Sequence, residues 1–156
     1  MKDYGASWRI LRHNRLPIRY LSRQTVLGVL NKRQTKVDEG IRPELIGIVN
    51  YGIVGLIQLE LGFSETADMR NEQALELYDK YIGQAKELMM AKNHDYDEVW
   101  CLMRTQSYTD LILTKILRTK QIEDNQGNTV ASEGIDANYF DMINYAIFGL
   151  IKMEFN

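Results

Sequence analysis

Residues 50–57 have the sequence NYGIVGLI, and residues 144–151 repeat it as NYAIFGLI. Each of these apolar stretches follows a Glu-Gly-Ile tripeptide at nearly the same distance, at residues 39–41 in one case and 133–135 in the other. Chance similarity between two helices would not preserve both the order and the separation of such blocks. The pattern therefore predicts that the chain contains two copies of one structural unit.

A second pair of matching segments lies upstream of the first. Residues 3–12 and 95–104 share aspartate, tyrosine, tryptophan and arginine in register. One unit is therefore predicted to consist of a short helix that carries the tryptophan, a middle helix, a loop and a long apolar helix. We place the two copies at residues 1–62 and 63–156, and we expect them to pack pseudo-symmetrically into a single bundle.

Apolar residues recur at helical spacing through most of the chain, which contains only two prolines. This periodicity predicts an all-α fold, a helical bundle formed by the two tandem repeats. Three glycines inside the first long apolar helix lower its helix propensity, which indicates that a neighbouring helix approaches closely there. The predicted helices cover residues 43–60, 70–92, 97–104, 109–122 and 137–154, and the predicted long loop covers residues 123–132.

The composition excludes several classes of protein. Charged residues make up 26% of the chain and the formal net charge is -2, so there is no global basic field that would hold duplex nucleic acid by its phosphates. Cys101 is the single cysteine, and the first residues lack the apolar run of a signal peptide. The two most apolar stretches, residues 45–59 and 139–153, are shorter than the roughly 20 residues that a membrane span needs. We therefore expect a cytoplasmic protein that does not cross a membrane.

Candidate site residues concentrate around the start of the last helix, in the second copy. Glu133 and Asp136 precede or open this helix, where they could hold a metal ion or merely cap the helix and complement its dipole. Asp141 and Asn144 are three residues apart and share a face inside an apolar run. Since an unpaired charge there is costly, the sequence favours a functional or networked role for these two residues. Carboxylates are the ligands that Mg²⁺ prefers, with water and substrate phosphates completing its shell.

Cationic residues suited to phosphate lie in the preceding segments. Lys92 and Asp95 lie at a junction between two predicted helices, where sites are often built, although Asp95 could equally be the N-cap of the next helix. Asp110 could cap the start of the middle helix. Farther along that helix, Lys115 and Arg118 share a face that suits a phosphate group, although a solvated face is the commoner explanation of such a pair.

Together these segments resemble the nucleotide modification associated domain 1 family, a domain-of-unknown-function family, in the tandem-repeat form found in Bacteroidetes. The resemblance covers essentially the whole chain through both copies. The family in turn resembles, more distantly, the MazG-type nucleoside triphosphate pyrophosphatases, which are all-α bundles. The residues that carry the resemblance are KNHDY at 92–96 with Trp100 and Arg104, then Thr109, Asp110, Lys115 and Arg118, then SEGIDANY at 132–139 and DMINYA at 141–146.

The resemblance implies a protein that binds a small-molecule nucleotide, and it implies a Mg²⁺-dependent pyrophosphohydrolase activity on canonical or modified (deoxy)nucleotides. In the implied mechanism, the catalytic residues Glu133, Asp136 and Asp141 hold Mg²⁺, and a metal-activated water attacks the α-phosphorus. The alternative is a non-catalytic helical binding or scaffold protein, whose polar residues form a buried network without turnover. The implied substrate-binding residues are Lys92, Asp95, Asp110, Lys115, Arg118 and Asn144.

The first copy departs from the second where this chemistry would lie. The replacements are Arg42 for Asp136, Gly47 for Asp141 and Ile18 for Asp110. This copy is therefore predicted to be the degenerate, structural half, without a complete metal site. It also lacks a counterpart of the helix predicted at 70–92. We expect either that the chain is a fragment of a longer protein or that a second subunit covers the missing surface in a homodimer.

Residues 17–29 are the part of the first copy where the repeat fails although the flanking blocks stay in register. Legal codons for this stretch, translated from one nucleotide upstream, encode threonine, aspartate, isoleucine, lysine and arginine at the positions that these residues occupy in the second copy's middle helix. Synonymous codons leave most first and second bases fixed, so such agreement is not expected by chance. We therefore hypothesise that roughly residues 11–34 are a frameshifted translation, which the encoding DNA would decide.

Overall fold

The computed structural model describes residues 6–12, 41–96, 99–126 and 134–155. These residues form four α-helices and two short 3-10 helices, and they contain no β-strand, which confirms the predicted all-α fold. The α-helices are α1 (Ile41–Leu61), α2 (Asn71–Tyr96), α3 (Thr105–Asp124) and α4 (Ile135–Phe155), and the 3-10 helices are Ser7–Ile10 and Val99–Leu102.

The duplication in the sequence is also visible in the structure. Helices α1 and α4 each contain 21 residues and begin at matching isoleucines, Ile41 and Ile135. The two 3-10 helices likewise occupy matching positions, with Trp8 in one and Trp100 in the other. The matching elements among the described residues therefore occur in the same order in both copies. The middle helix predicted for the first copy, and most of the segment for which we hypothesise a frameshift, lie outside the described residues.

Helices α1 and α4 contact each other closely at two glycines. A Cβ atom added to Gly55 would lie 2.5 Å from Cε1 of Tyr139, and one added to Gly149 would lie 3.0 Å from Cδ1 of Leu45. Tyr139 matches Leu45 in the repeat, and Gly149 matches Gly55, so each contact is the image of the other. Reciprocal contacts of this kind define an approximate two-fold axis between the copies. The close approach predicted from the glycines is confirmed at Gly55.

The core forms where the other two helices cover the α1 and α4 pair. Helix α3 packs along α4, and α2 contacts both α1 and α4. Helix α2 contributes Ala74, Tyr81 and Ala85 to the core, where all three are buried. Across the whole core, most of the buried hydrophobic residues have branched aliphatic side chains, which pack well between helices. The least exposed members include Leu45, Ile48, Ile53, Ile57, Ile112, Met142 and Ile143.

Helix α1 is longer than its apolar sequence alone predicts. At 21 residues, with a mean hydropathy of 1.4 over its most apolar window, it is long and apolar enough to cross a membrane by length and composition. Within the protein, however, 56% of that window is buried. A membrane-spanning helix and the core helix of a soluble protein both pass this test, and in this structure α1 contacts α4 and α2.

The structure differs from the sequence-based expectations at two points between residues 95 and 104. The helix predicted at residues 97–104 is present among the described residues only as the 3-10 helix Val99–Leu102. Helix α2 continues to Tyr96, so Asp95 lies in its last turn and does not cap the next element. The physical reason is that neither glycine nor proline interrupts the sequence between Ala85 and Tyr96.

The boundaries of α3 also differ from the prediction. This helix begins at Thr105, with Arg104 as its N-cap residue, so Asp110 lies in the second turn and does not cap the start. At the other end α3 extends to Asp124, which shortens the predicted loop. Most of the added residues are not strong helix formers, so tertiary packing, with Tyr108 buried, extends the helix beyond the apolar pattern.

A buried arginine joins the first 3-10 helix to the end of α1. Arg9 is 4% exposed; its Nε atom donates to Oδ1 of Asp68 over 2.9 Å, and its Nη1 atom donates to the Gly62 carbonyl over 2.8 Å and to Oε1 of Gln58. The hydrogen bond from Arg9 lowers the pKa of Asp68 below its ordinary value. Gln58 is buried as well and donates to the Arg9 carbonyl over 2.9 Å. Because these buried groups satisfy one another, the network stabilises the fold.

Candidate functional site

Asp141 lies in the second turn of α4, and its side chain is only 7% exposed. A carboxylate in this position needs partners, because an isolated buried charge is costly. The Nζ atom of Lys92 donates to Oδ1 of Asp141 over 2.6 Å, and the Nζ atom of Lys115 lies 2.6 Å from Oδ2. Both carboxylate oxygens are therefore held by ammonium groups. We call Lys92, Lys115 and Asp141 the lysine–aspartate cluster.

Each member of the lysine–aspartate cluster comes from a different helix. Lys92 lies near the end of α2, Lys115 lies in the middle of α3, and Asp141 belongs to α4. The lysine side chains are 42% and 24% exposed, respectively. A lysine can bury its apolar stem while its ammonium group reaches a polar partner near solvent. The cluster thus ties three helices together at a point that solvent can reach.

The lysine–aspartate cluster as defined contains two ammonium groups and one carboxylate. Its two cationic groups are partly exposed, whereas its single carboxylate is buried. Arg118 lies one turn beyond Lys115 on α3 and is also partly exposed. Both ammonium groups of the cluster would repel a cation added at Asp141.

Asn144 lies one turn beyond Asp141 on α4, and its side chain has no hydrogen-bond partner among the described residues. The residue is 4% exposed, and neither its Nδ2 nor its Oδ1 atom makes a hydrogen bond within the part of the chain that the structure describes. Buried amides are nearly always hydrogen-bonded, so this one marks a place for a ligand group or an ordered water. Its match in the first copy is satisfied, because Oδ1 of Asn50 accepts a 2.7 Å hydrogen bond from the Tyr78 hydroxyl.

The other predicted site residues lie apart from the cluster. Asp95 is exposed at the end of α2, and Asp110 is exposed on α3. Asp136 is five residues before Asp141, which places the two side chains about 140° apart around α4. Glu133 lies outside the described residues. The structure therefore brings together three of the predicted residues, Lys92, Lys115 and Asp141, with Asn144 and Arg118 one turn away.

The predicted Mg²⁺ site does not fit the position of Asp141. Two ammonium groups occupy its oxygens, and Asp136 points from another side of the helix. The described ranges contain no group of three or more histidine, cysteine, aspartate or glutamate side chains that could hold a metal ion. A hard divalent cation needs several oxygen ligands and no competing cations. Mg²⁺ binding by Glu133 and Asp136 stays a prediction.

Asp136 lines a separate cavity between α1, α2 and α4, together with Glu60 and Tyr81. Glu60 accepts a 2.7 Å hydrogen bond from Nζ of Lys80 and a 2.8 Å hydrogen bond from the Tyr81 hydroxyl. These two bonds, the one from Lys80 first, lower the pKa of Glu60 below its ordinary value. Burial, followed by the hydrogen bond to Glu60, raises the pKa of Tyr81 to about 12.

Sequence reasoning missed the roles of Glu60 and Arg9. Arg9 matches Cys101, so the comparison of the two copies gave no reason to single it out. Glu60 could have been singled out from the sequence, because it matches Glu154 and both glutamates end long apolar helices. An approximate two-fold axis brings each of these ends to the start of the other helix.

The comparison with known families agrees with this division into copies. The family model of nucleotide modification associated domain 1 matches residues 1–59 and 92–153, one segment in each copy. The second segment begins at Lys92 and includes the whole lysine–aspartate cluster. No curated protein and no solved structure matches the chain. The matched segments cover well over half of the sequence, and the chain therefore belongs to the nucleotide modification associated domain 1 family.

Proposed function

We propose that this protein binds a nucleotide and that the lysine–aspartate cluster contacts its phosphate groups. The observation that carries the proposal is the pair of 2.6 Å contacts from Lys92 and Lys115 to the two oxygens of one buried carboxylate. A lysine ammonium group has three N–H donors, so a lysine held by Asp141 can also donate to a phosphate oxygen.

The geometry supports binding because the two lysine side chains are already restrained before a ligand binds, which lowers the entropic cost of binding. A free lysine side chain loses up to about 2 kcal/mol of rotamer freedom when it is fixed. Asp141 already restrains both lysines in the folded protein. Preorganised groups of this kind bind a ligand more tightly than mobile ones with the same charge.

Asn144 and the family support a nucleotide over a simple anion. The buried amide of Asn144 offers a donor and an acceptor one turn from Asp141, which suits a sugar or base group next to the phosphates. The family to which the chain belongs is described as associated with nucleotide modification. Binding, without turnover, is the function that these observations support best.

Turnover remains the finer hypothesis. The MazG-type resemblance implies pyrophosphate release that depends on Mg²⁺, whereas Asp141 is held by lysines and does not fit a metal ligand. The scaffold alternative differs from both, because it requires no nucleotide. Pyrophosphate release would identify the enzyme, and binding without release would identify the nucleotide-binding protein.

The test measures nucleotide affinity by calorimetry, with a chelator present so that phosphate contacts are measured without Mg²⁺. The ligands are deoxynucleoside mono- and triphosphates, with inorganic phosphate for comparison. Lys115→Met should weaken triphosphate binding about tenfold or more, since a hydrogen bond between charged groups contributes about 1.5–3 kcal/mol. Lys120→Met, at an exposed position on the same helix, is the matched control and should leave the affinity unchanged.

Two results would overturn the proposal. One is the absence of any binding by the wild-type protein to nucleotides and to inorganic phosphate at low ionic strength. The other is an equal loss of affinity in the Lys115 and Lys120 variants, which would reduce the effect to general charge. A monophosphate that binds as tightly as a triphosphate would instead restrict the contact to a single phosphate group.

A further inference from the structure

The cavity between α1, α2 and α4 has the features of a small-ligand site. Its volume is about 480 Å³, within the range of roughly 300–1,000 Å³ that is usual for such sites. One wall is aromatic, with the ring centroids of Tyr81 and Phe140 6.3 Å apart and inclined at 44°. The remaining apolar lining comes from Leu56, Leu59 and Ile135.

Two carboxylates, which accept hydrogen bonds, belong to the polar lining of this cavity. Asp136 lies in the first turn of α4, and Glu60 lies in the last turn of α1. Glu60 is already bound to Lys80 and to the Tyr81 hydroxyl, whereas Asp136 has no ion-pair partner among the residues that the structure describes. Gln84 of α2 completes the rim. The cavity therefore combines an apolar interior with the carboxylate of Asp136, which has no ion-pair partner among the described residues, beside a Glu60 carboxylate that Lys80 already pairs.

The approximate two-fold axis allows the cavity to be compared with the matching, opposite end of the α1 and α4 pair. At the opposite end of the α1 and α4 pair, Nη2 of Arg42 lies 3.3 Å from Oε2 of Glu154. The repeat places Asp136 at the position of Arg42 and Glu60 at the position of Glu154. One end of the pair thus has the Arg42 guanidinium group facing Glu154; at the other end Lys80 of α2 faces Glu60, and Asp136 lies beside the cavity in the place of the guanidinium group.

We propose that the cavity binds a planar group with N–H donors along one edge, the chemistry shared by an amino-bearing nucleobase and a guanidinium ion. The planar group packs against Tyr81 and Phe140, and its donors are accepted by Asp136 and Glu60. Asp136 and Asp141 lie on different faces of α4, so this site is separate from the lysine–aspartate cluster. The proposal does not depend on phosphate binding.

The test uses the full chain and ligands without phosphate, so that the lysine–aspartate cluster contributes nothing to the result. Cytidine and adenosine carry an exocyclic amino group, and uridine serves as the ligand without one. Guanidinium chloride at millimolar concentration tests whether a guanidinium ion is the ligand. Sodium chloride at the same concentration is the control for ionic strength. Nuclear magnetic resonance follows the ring signals of Tyr81 and Phe140 during each titration. We expect saturable shifts with the amino nucleosides or with guanidinium.

The matched variants use the symmetry of the molecule. Asp136→Arg reproduces the arrangement of Arg42 and Glu154 at the cavity, so it should abolish the shifts without lowering stability. Asp136→Asn should weaken binding at least fivefold, whereas Glu154→Gln, at the opposite end, should leave it unchanged. Shifts as large with uridine as with cytidine, retained binding in Asp136→Arg, or no saturable shift with any of these probes would overturn the proposal.

Discussion

The two copies fasten their 3-10 helix to their long helix at the same place but with different chemistry. In the first copy, Nε2 of Gln58 donates to the Arg9 carbonyl over 2.9 Å. In the second, Nζ of Lys152, the match of Gln58, donates to the Cys101 carbonyl, the match of Arg9, over 2.7 Å. The first bond is buried in a polar network, and the second is exposed. This hydrogen bond is therefore common to both copies, whereas only the first copy buries it.

The buried charges of the two copies differ in the same way. Arg9 is enclosed by partners that satisfy it, which leaves little for a ligand to do. Asp141 is buried in the second copy by two lysines that remain partly exposed. Gly47 replaces Asp141 in the first copy, so the cluster cannot form there. The comparison supports the proposal that the second copy contacts a ligand, whereas the buried arginine of the first copy stabilises the fold.

The largest expected effect tests the buried polar network that surrounds the first of these two bonds. Arg9→Met removes the donor to the Gly62 carbonyl and to Gln58, and it leaves Oε1 of the buried Gln58 without that donor. We expect the free energy of unfolding to fall by about 2–4 kcal/mol. Lys152→Met removes only an exposed hydrogen bond and should cost less than about 0.5 kcal/mol. Urea unfolding of both variants measures the difference, and equal costs would remove the distinction between the copies.

The next effect tests the approximate two-fold axis at the helix contacts. Gly55→Ala places a methyl group 2.5 Å from the Tyr139 ring, and overpacking of this kind costs about 1–3 kcal/mol. Gly149→Ala meets the end of the Leu45 side chain at 3.0 Å, which can move. Its higher helix propensity offsets about 1 kcal/mol, so we expect little net change. A Gly149→Ala variant less stable than Gly55→Ala would show that the contacts are not arranged as described.

The fold was more predictable from the sequence than the site. The helical period predicted the all-α architecture, because it is a local pattern within each helix, and the repeat predicted which elements match. The prediction grouped Asp136 with Asp141 because they are close in sequence, but a separation of five residues places them on different sides of α4. The lysine partners of Asp141 come from other helices, so no local pattern could show that both would reach the same carboxylate. Cytoplasmic location and a homodimer stay predictions.

A smaller effect tests how Asp141 acts. Asp141→Asn keeps the size of the side chain and removes its charge, so each lysine loses a charge-assisted hydrogen bond. If preorganisation dominates, nucleotide affinity should fall about threefold to tenfold even though the cluster becomes more positive. Calorimetry with a deoxynucleoside triphosphate measures the change. A rise in affinity would show that Asp141 merely competes with the ligand for the lysines.

The smallest effect compares the acids at the two ends of the α1 and α4 pair through their dependence on pH. The folded-state pKa of Glu60 is below the ordinary value of 4.5, so Glu60 stabilises the protein above that pH, and this contribution is lost as the pH falls through the lowered pKa. Because the Glu60 side chain is 37% exposed, solvent screening limits the contribution to less than about 1 kcal/mol. Glu60→Gln should therefore flatten the acid limb of the stability curve slightly, as measured by urea unfolding between pH 3 and pH 7.

Tyr81 gives the same comparison a spectroscopic readout. The folded-state pKa of Tyr81 is raised to about 12, so its hydrogen-bonded neutral form stabilises the protein below pH 10, and this contribution is lost as the pH rises towards 12. Glu60→Gln removes the charge that disfavours the phenolate, so phenolate absorbance should show one tyrosine titrating closer to pH 10 than in the wild type. Glu154→Gln is the control, because Glu154 pairs with the exposed Arg42 at the other end and does not touch Tyr81. An identical shift in both variants would trace the change to net charge, and the specific bond between Glu60 and Tyr81 would then contribute nothing measurable.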